Sequence, residues 1–305
     1  MATLVVGGTG LIGGTIARAL ADAGETVALA ARNQPATATP LAGFETVLGS
    51  YIDDELAPET LARFDALVFC AAHDVRQLPR GLDAEGEADF YRRVNSEAVP
   101  RFFARARAAG VRRAAYIGSF YPQAWPELIA RDSYVRSRKE ADEGVRALAG
   151  PDFHVTSLNA PWVIGALPGL VPPLCRTLAR WGLGRLDLPR RAAPGGTNFI
   201  STRSLAQATL GALARGENGR GYLVGDENLR FADFFRLFFA AAGREVELEV
   251  CDAPMAAMPD SALLAGRANA IFYPPEGVDT LGYAQGDMAR AVGEIVDLVR
   301  GEDEA

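Results

Sequence analysis

The chain is poor in the residues that build metal centres and covalent staples. Its 305 residues include three cysteines and two histidines. Cys70, Cys175 and Cys251 stand far apart and form no CxxC pair, so no zinc site is expected and a reducing, cytoplasmic setting is. Positive charge is not in excess. A formal net charge of −7 argues against general binding to nucleic acid or to anionic membrane surfaces. No apolar run reaches the roughly 18 residues of a membrane span, and residue 4 already begins a core strand, so neither a span nor a leader is expected. Lysine is almost missing: of 31 basic residues, only Lys139 is a lysine and the other 30 are arginine. With so strong a bias, an arginine in a lysine's usual place says less about function here than elsewhere.

Apolar residues make up 49% of the chain, enough for a substantial core. The first of them, Leu4 to Val6, read as a strand followed at once by Gly7-Gly-Thr-Gly10-Leu-Ile-Gly13 and then by helical periodicity. Strand, glycine turn and helix form the first half of a dinucleotide-binding unit. Gly7 permits the tight turn, Gly10 lets the backbone approach a pyrophosphate, and Gly13 lets the helix pack against the strand. Thr9, Leu11 and Ile12 complete the phosphate-facing segment, because the helix N-terminus presents unpaired N–H groups there.

Alternation continues through the N-terminal half. Strands are predicted at Thr3–Gly7, Thr26–Ala31, Glu45–Leu48, Ala66–Cys70, Arg113–Ile117 and His154–Asn159, with helices near 11–23, 55–63, 86–109 and 132–148. This is the pattern of a Rossmann-type, doubly wound parallel sheet in an α/β fold. After Pro161 the alternation becomes irregular. The expected organisation is a dinucleotide-binding core over 1–160 and a smaller, mainly substrate-binding lobe over 161–305, with segment 197–215 returning to the core. Phe231, Phe234, Phe235, Phe238 and Phe239 are expected in the lobe's own core, and the loop of Met255 and Met258 is a candidate cover for an apolar substrate.

The second strand ends in Ala30-Ala31-Arg32-Asn33, where NAD enzymes commonly place an acid for the ribose 2′-hydroxyl. An arginine at this strand end can stack on adenine and pair with a 2′-phosphate, which a carboxylate would repel. NADP(H) is therefore favoured over NAD(H).

Two further segments carry chemistry. Ala114 to Ser119 is a buried strand ending in a hydroxyl, and Ser133-Tyr134-Val-Arg-Ser137-Arg138-Lys139 opens a helix. Ligands bind at the carboxyl edge of a parallel sheet, so Ser119 and Tyr134 can converge on one substrate oxygen. A carbonyl reductase needs a group that gives a proton to that oxygen as hydride reaches the carbon. Tyrosine serves if a nearby cation stabilises its anion.

With the glycine turn, the strand end at Cys70-Ala71-Ala72 and the segments Tyr91-Arg-Arg-Val-Asn95, Asn159-Ala-Pro161-Trp-Val-Ile-Gly165 and Asn198 to Ala206, this order resembles the short-chain dehydrogenase/reductase superfamily. The resemblance is to its extended or atypical epimerase/dehydratase-like branch and covers nearly the whole chain. It implies that Tyr134 is the acid/base, that Ser119 orients the substrate oxygen and that Asn95 is the structural asparagine of the central helix, able to support a proton-relay water. Ala71, Ala72, Pro161 and Val163 would line the cofactor, and two subunits would pair through helices near 86–109 and 132–148 into a homodimer.

Three departures stand out. The lysine expected four residues after the tyrosine is Arg138, which carries the charge and the ribose donors but releases no proton near neutrality. Lys139 lies one residue further, turned about 100° away on a regular helix, and is expected in solvent unless a π-turn rotates it inward. Gly49-Ser50 replaces a frequent Gly-Asp that meets the adenine amine, and Asp53 matches only the second acid of that pattern. His73, Asp74 and Tyr121 are weaker candidates near the same cleft. Arg176, Arg180, Arg185, Arg190, Arg191 and Arg203 have few acidic neighbours in sequence and form either a solvated basic face or a site for an anionic substrate. The reading is an NADP(H)-dependent oxidoreductase acting on a carbonyl/alcohol pair of a small-molecule substrate. A nucleotide-sugar epimerase or dehydratase and a non-catalytic NADP-binding regulator are the alternatives.

Overall fold

The computed structural model describes residues 1–302. The first half runs β1 (Ala2–Val6), α1 (Leu11–Asp22), β2 (Thr26–Ala31), β3 (Glu45–Leu48), α2 (Pro58–Leu61), β4 (Ala66–Phe69), α3 (Ala84–Tyr91), α4 (Ala98–Ala108), β5 (Arg113–Ser119), α5 (Tyr121–Ala124), α6 (Ser133–Arg146) and β6 (His154–Ala160). The second half runs β7 (Trp162–Ile164), α7 (Pro173–Gly182), β8 (Arg191–Ala192), β9 (Gly196–Ser201), α8 (Thr202–Arg215), β10 (Gly221–Tyr222), β11 (Glu227–Arg230), α9 (Phe231–Ala241), β12 (Glu249–Val250), β13 (Ala270–Ile271) and α10 (Met288–Glu302).

Seven parallel strands form the main sheet in the order β10-β6-β5-β4-β1-β2-β3. The order reverses at β1, which lies between β4 and β2, and so opens a crevice at the carboxyl ends of β1 and β4. β4 is buried along its whole length and β1 from Thr3 onward, as a strand covered on both faces requires. One face carries α1 and α8, whose Ile16, Leu20, Leu205 and Ala212 share a core with Val5, Val68 and Ile117. The other carries α4 and α6, whose Phe102, Phe103 and Val145 pack with Leu4, Phe69 and Tyr116.

The expected helix over 86–109 is α3 and α4 joined by a π-turn at Arg92–Glu97. The wider turn falls on the segment holding Asn95, whereas α6 is regular through Lys139. The smaller sheet has β9 at its centre, with β7, β11 and β13 beside it. Its core holds all five phenylalanines of α9 named above. Met255 and Met258 belong to that same core, and Met255 Sδ accepts the Ala193 N–H at 3.1 Å. They pack into the lobe's core. Among the described residues no helix is long and apolar enough to cross a membrane, and no group of three or more His, Cys, Asp or Glu could hold a metal ion.

Candidate active site

The glycine turn joins β1 to α1. Gly7 has φ +78°, in the left-handed region that a Cβ disfavours, and its N–H donates to Ala30 O at 2.8 Å. A Cβ on Gly7 would stand 3.1 Å from Ala71 Cα, so the strand end at Ala71 and Ala72 lies directly against the turn. A Cβ on Gly13 would come within 2.9 Å of Gly7 C and Gly8 Cα, so only glycine lets α1 begin this close to β1. Gly10 differs. Its Cβ would meet only Gly7 O, at 3.4 Å, and its φ of −86° suits any residue.

The fold itself therefore makes no demand for glycine at position 10. The missing side chain opens space over the N-terminus of α1, which has no side-chain cap and no acid in its first turn. Uncapped N–H groups facing an open cradle fit a dinucleotide pyrophosphate. Gly13→Ala is expected to lower the unfolding temperature. Gly10→Ala is expected to leave it in place while weakening dinucleotide binding at least about tenfold by calorimetry. Equal thermal losses in both variants would remove the pyrophosphate assignment.

Arg32 directly follows β2 and is exposed in a cleft of about 470 Å³ that Leu48, Gly49, Ser50, Ile52, Asp53 and Glu55 also line. The two carboxylates there are turned onto Ser50: Glu55 accepts its N–H at 2.7 Å and Asp53 its hydroxyl at 2.8 Å. Ser50 is thus engaged within its own loop.

Asn95 is fully buried and clamps three elements. Its amide donates to His73 O at 2.9 Å and to Ser137 Oγ at 3.1 Å, and its Oδ1 accepts the His73 N–H at 3.0 Å. The segment after β4 is thereby fixed to the central helix and to α6. Tyr51 adds a second tie, its hydroxyl standing 3.0 Å from Val94 O and 2.9 Å from His73 Nδ1. Burial first, and then the Arg32 guanidinium, hold the imidazole below its ordinary range. Asp74 is paired with Arg76.

The N-terminus of α6 is set by Asp132, whose carboxylate accepts the Val135 N–H at 2.9 Å. One turn further, Arg138 reaches into the protein and is held on three sides. Its Nη1 donates to Tyr134 Oη at 3.2 Å, its Nε to Tyr116 Oη at 3.2 Å, and its Nη2 to Ile117 O at 2.9 Å. Burial acts against the charge, but the two tyrosine oxygens outweigh it and the guanidinium is held above its ordinary range. The Tyr134–Arg138 pair is so tied to β5 two residues before Ser119, which is buried at that strand's end. Lys139 faces outward and pairs with Glu143 at 2.7 Å, one helical turn on.

Pro161 is buried just after β6, and Val163, in β7, is half-buried. Tyr121 accepts the Trp162 indole N–H at 3.3 Å. Three of the lobe's six arginines named above have local partners: Arg176 pairs with Glu302, Arg191 with Glu249, and Arg185 donates to Val299 O and Arg300 O. Tyr116 and Ile117 O were not among the candidate residues. The signal for them lay in Arg138 itself, since a buried guanidinium needs acceptors and the adjacent strand is where they can stand.

The strand order and the glycine turn define a Rossmann-type fold of the extended short-chain dehydrogenase/reductase class. Residues 3–225 match the model of the NAD dependent epimerase/dehydratase family, and the chain belongs to that family. It is 27% identical over 242 residues to sterol demethylase protein B of Methylococcus capsulatus (strain ATCC 33009 / NCIMB 11132 / Bath), covering 75% of this chain and 70% of that one. It is 25% identical over 270 residues to the 4-hydroxy-2-methyl-3-oxo-4-farnesyl-3,4-dihydroquinoline-1-oxide ketoreductase of Stigmatella aurantiaca, covering 81% and 75%. The solved UDP-glucose 4-epimerase of Thermotoga maritima, in complex with UDP-glucose, shares the fold with a TM-score of 0.76 at 14% identity, over 99% of both chains.

Proposed function

We propose that the protein is an NADP(H)-dependent oxidoreductase that interconverts a carbonyl and an alcohol on a small or medium organic substrate. One observation carries the reading: a buried cation, fixed on three sides, donates to the oxygen of Tyr134. A tyrosine so placed can give a proton to a carbonyl oxygen and hold the resulting charge, because the guanidinium that stabilises it is already in position. Ser119 orients the substrate oxygen from the end of β5. Asn95 acts by clamping His73 and Ser137, which keeps the cofactor-side loop and α6 in register. The pyrophosphate would rest on the turn from Gly7 to Gly13, and Ala71, Ala72, Pro161 and Val163 would flank the cofactor. When bound, the nicotinamide supplies or accepts the hydride. The ketoreductase among the relatives supports carbonyl reduction by its name.

The preference for NADP(H) rests on Arg32, whose guanidinium stands in the cleft while Asp53 and Glu55 are turned onto Ser50. NADPH is expected to bind at least about tenfold more tightly than NADH, and Arg32→Ala is expected to erase most of that difference. Calorimetric titration of both cofactors decides it, and tighter binding of NADH by the unaltered protein would overturn it.

A second reading, nucleotide-sugar epimerisation with a retained cofactor, is favoured by the family and by the UDP-glucose-bound neighbour. Net oxidation of added NADPH by ketones supports the first reading. A cofactor that stays bound through turnover of a nucleotide sugar, with no net oxidation, supports the second. We further propose a cytoplasmic homodimer paired through α3, α4 and α6.

A further inference from the structure

We propose that the substrate is an apolar, ring-bearing carbonyl compound, held on an aromatic wall that continues from Tyr134. The proposal rests on the hydride-transfer reading and names the substrate class of that site.

Tyr134 belongs to a buried cluster with Tyr91, Phe120, Tyr121, Ile271 and Tyr273. The Phe120 and Tyr121 rings lie 4.2 Å apart, and Phe120 and Tyr273 lie 6.2 Å apart. The cluster has a half-buried margin that includes Trp125, Trp162, Leu223 and Leu264. Three of these four residues come from positions the fold reserves for ligand contact. Trp125 follows α5 beyond β5, Trp162 follows β6, and Leu223 follows β10, all at the carboxyl ends of parallel strands. Leu264 and Tyr273 bring the C-terminal lobe against the same cluster.

Two polar groups of this wall are engaged within it, while the buried Tyr91 Oη has no protein partner among the described residues. Trp162 Nε1 donates to Tyr121 Oη at 3.3 Å, and Tyr273 Oη donates to Val224 O at 3.0 Å. Apart from Tyr91 Oη, the wall is mostly ring face and aliphatic side chain. Two arginines on this side of the site already have partners. Arg76 is paired with Asp74, and Arg136 donates to Ile129 O at 3.2 Å. A nucleoside diphosphate needs several uncommitted cationic donors. An apolar ring system needs none, and gains by leaving water for an aromatic surface. The wall therefore suits a fused-ring ketone better than a nucleotide sugar.

The test uses the NADPH-loaded protein with 2-decalone, butanone and UDP-glucose. Two readouts are taken: NADPH oxidation, and quenching of tryptophan emission, with Trp125→Phe identifying the wall's share. The expected result is quenching by 2-decalone and a KM at least about tenfold below that for butanone, with neither effect from UDP-glucose. Leu264→Arg is expected to narrow the KM ratio of the two ketones towards one. Leu264→Phe, which keeps the surface apolar, is expected to preserve it. Quenching by 2-decalone without NADPH oxidation would remove the hydride-transfer reading and leave the substrate class standing. Oxidation of NADPH by butanone with no preference for 2-decalone, or with saturable binding of UDP-glucose, would overturn the substrate class alone. Absence of both signals with every compound would overturn both.

Discussion

Tyr134→Phe is expected to lower kcat by about two to four orders of magnitude, the usual contribution of a positioned acid/base, while the affinity for the dinucleotide stays within about twofold. The substitution is close to a pure test of the oxygen. Tyr134 is only 9% exposed and packs its ring against Tyr91, with centroids 5.5 Å apart, and phenylalanine keeps both the volume and that contact. What leaves is the hydroxyl that accepts from Arg138 Nη1 at 3.2 Å. Arg138 retains Tyr116 and Ile117 O, so it is not released from the site. Steady-state kinetics with the preferred ketone, alongside calorimetric titration of NADPH, separates chemistry from binding. Turnover within tenfold of the unaltered protein would remove Tyr134 from the acid/base role.

The parts of this site that sequence could show are those set by local spacing. Gly7, Gly10 and Gly13 lie within one turn, and both the backbone strain at Gly7 and the close approach at Gly13 follow from that spacing. Likewise, a tyrosine and an arginine four residues apart share a helix face wherever the helix sits. Lys139 was placed outward by the same logic and pairs with Glu143. The missed features depend on contacts across long separations. Ser137 meets Asn95 from 42 residues away, and Tyr51 meets Val94 from 43, so no window of periodicity contains either pair. The π-turn at Arg92–Glu97 was also hidden, because its residues have ordinary helical composition and only the extra residue per turn distinguishes it. β10 falls within the span expected to form the lobe, yet it completes the main sheet beside β6, a pairing fixed by topology and by only two residues, Gly221 and Tyr222.

Restoring lysine at position 138 is expected to impair the protein, and a second substitution, Tyr116→Phe, is expected to recover part of what is lost. An ammonium lacks the planar fork with which Arg138 meets Tyr116, Tyr134 and Ile117 at once. If lysine kept the contact with Tyr134, the fully buried Tyr116 hydroxyl would lose its donor. Leaving a buried polar group without its partner costs about 1–3 kcal/mol. Burial holds the Tyr116 hydroxyl above its ordinary range despite Arg138, so it stays neutral and does not cancel the guanidinium charge. Tyr116→Phe takes that hydroxyl away. Arg138→Lys alone should therefore lower both the unfolding temperature and kcat, the latter at least about tenfold, and the double variant should exceed the single one in both. The recovery is a coupling between two positions, which a double-mutant cycle in denaturant and in steady-state kinetics measures directly. Arg138→Lys with unchanged stability and turnover would mean that the three-sided hold on the guanidinium contributes nothing. Additive losses would mean that Tyr116 acts independently of it.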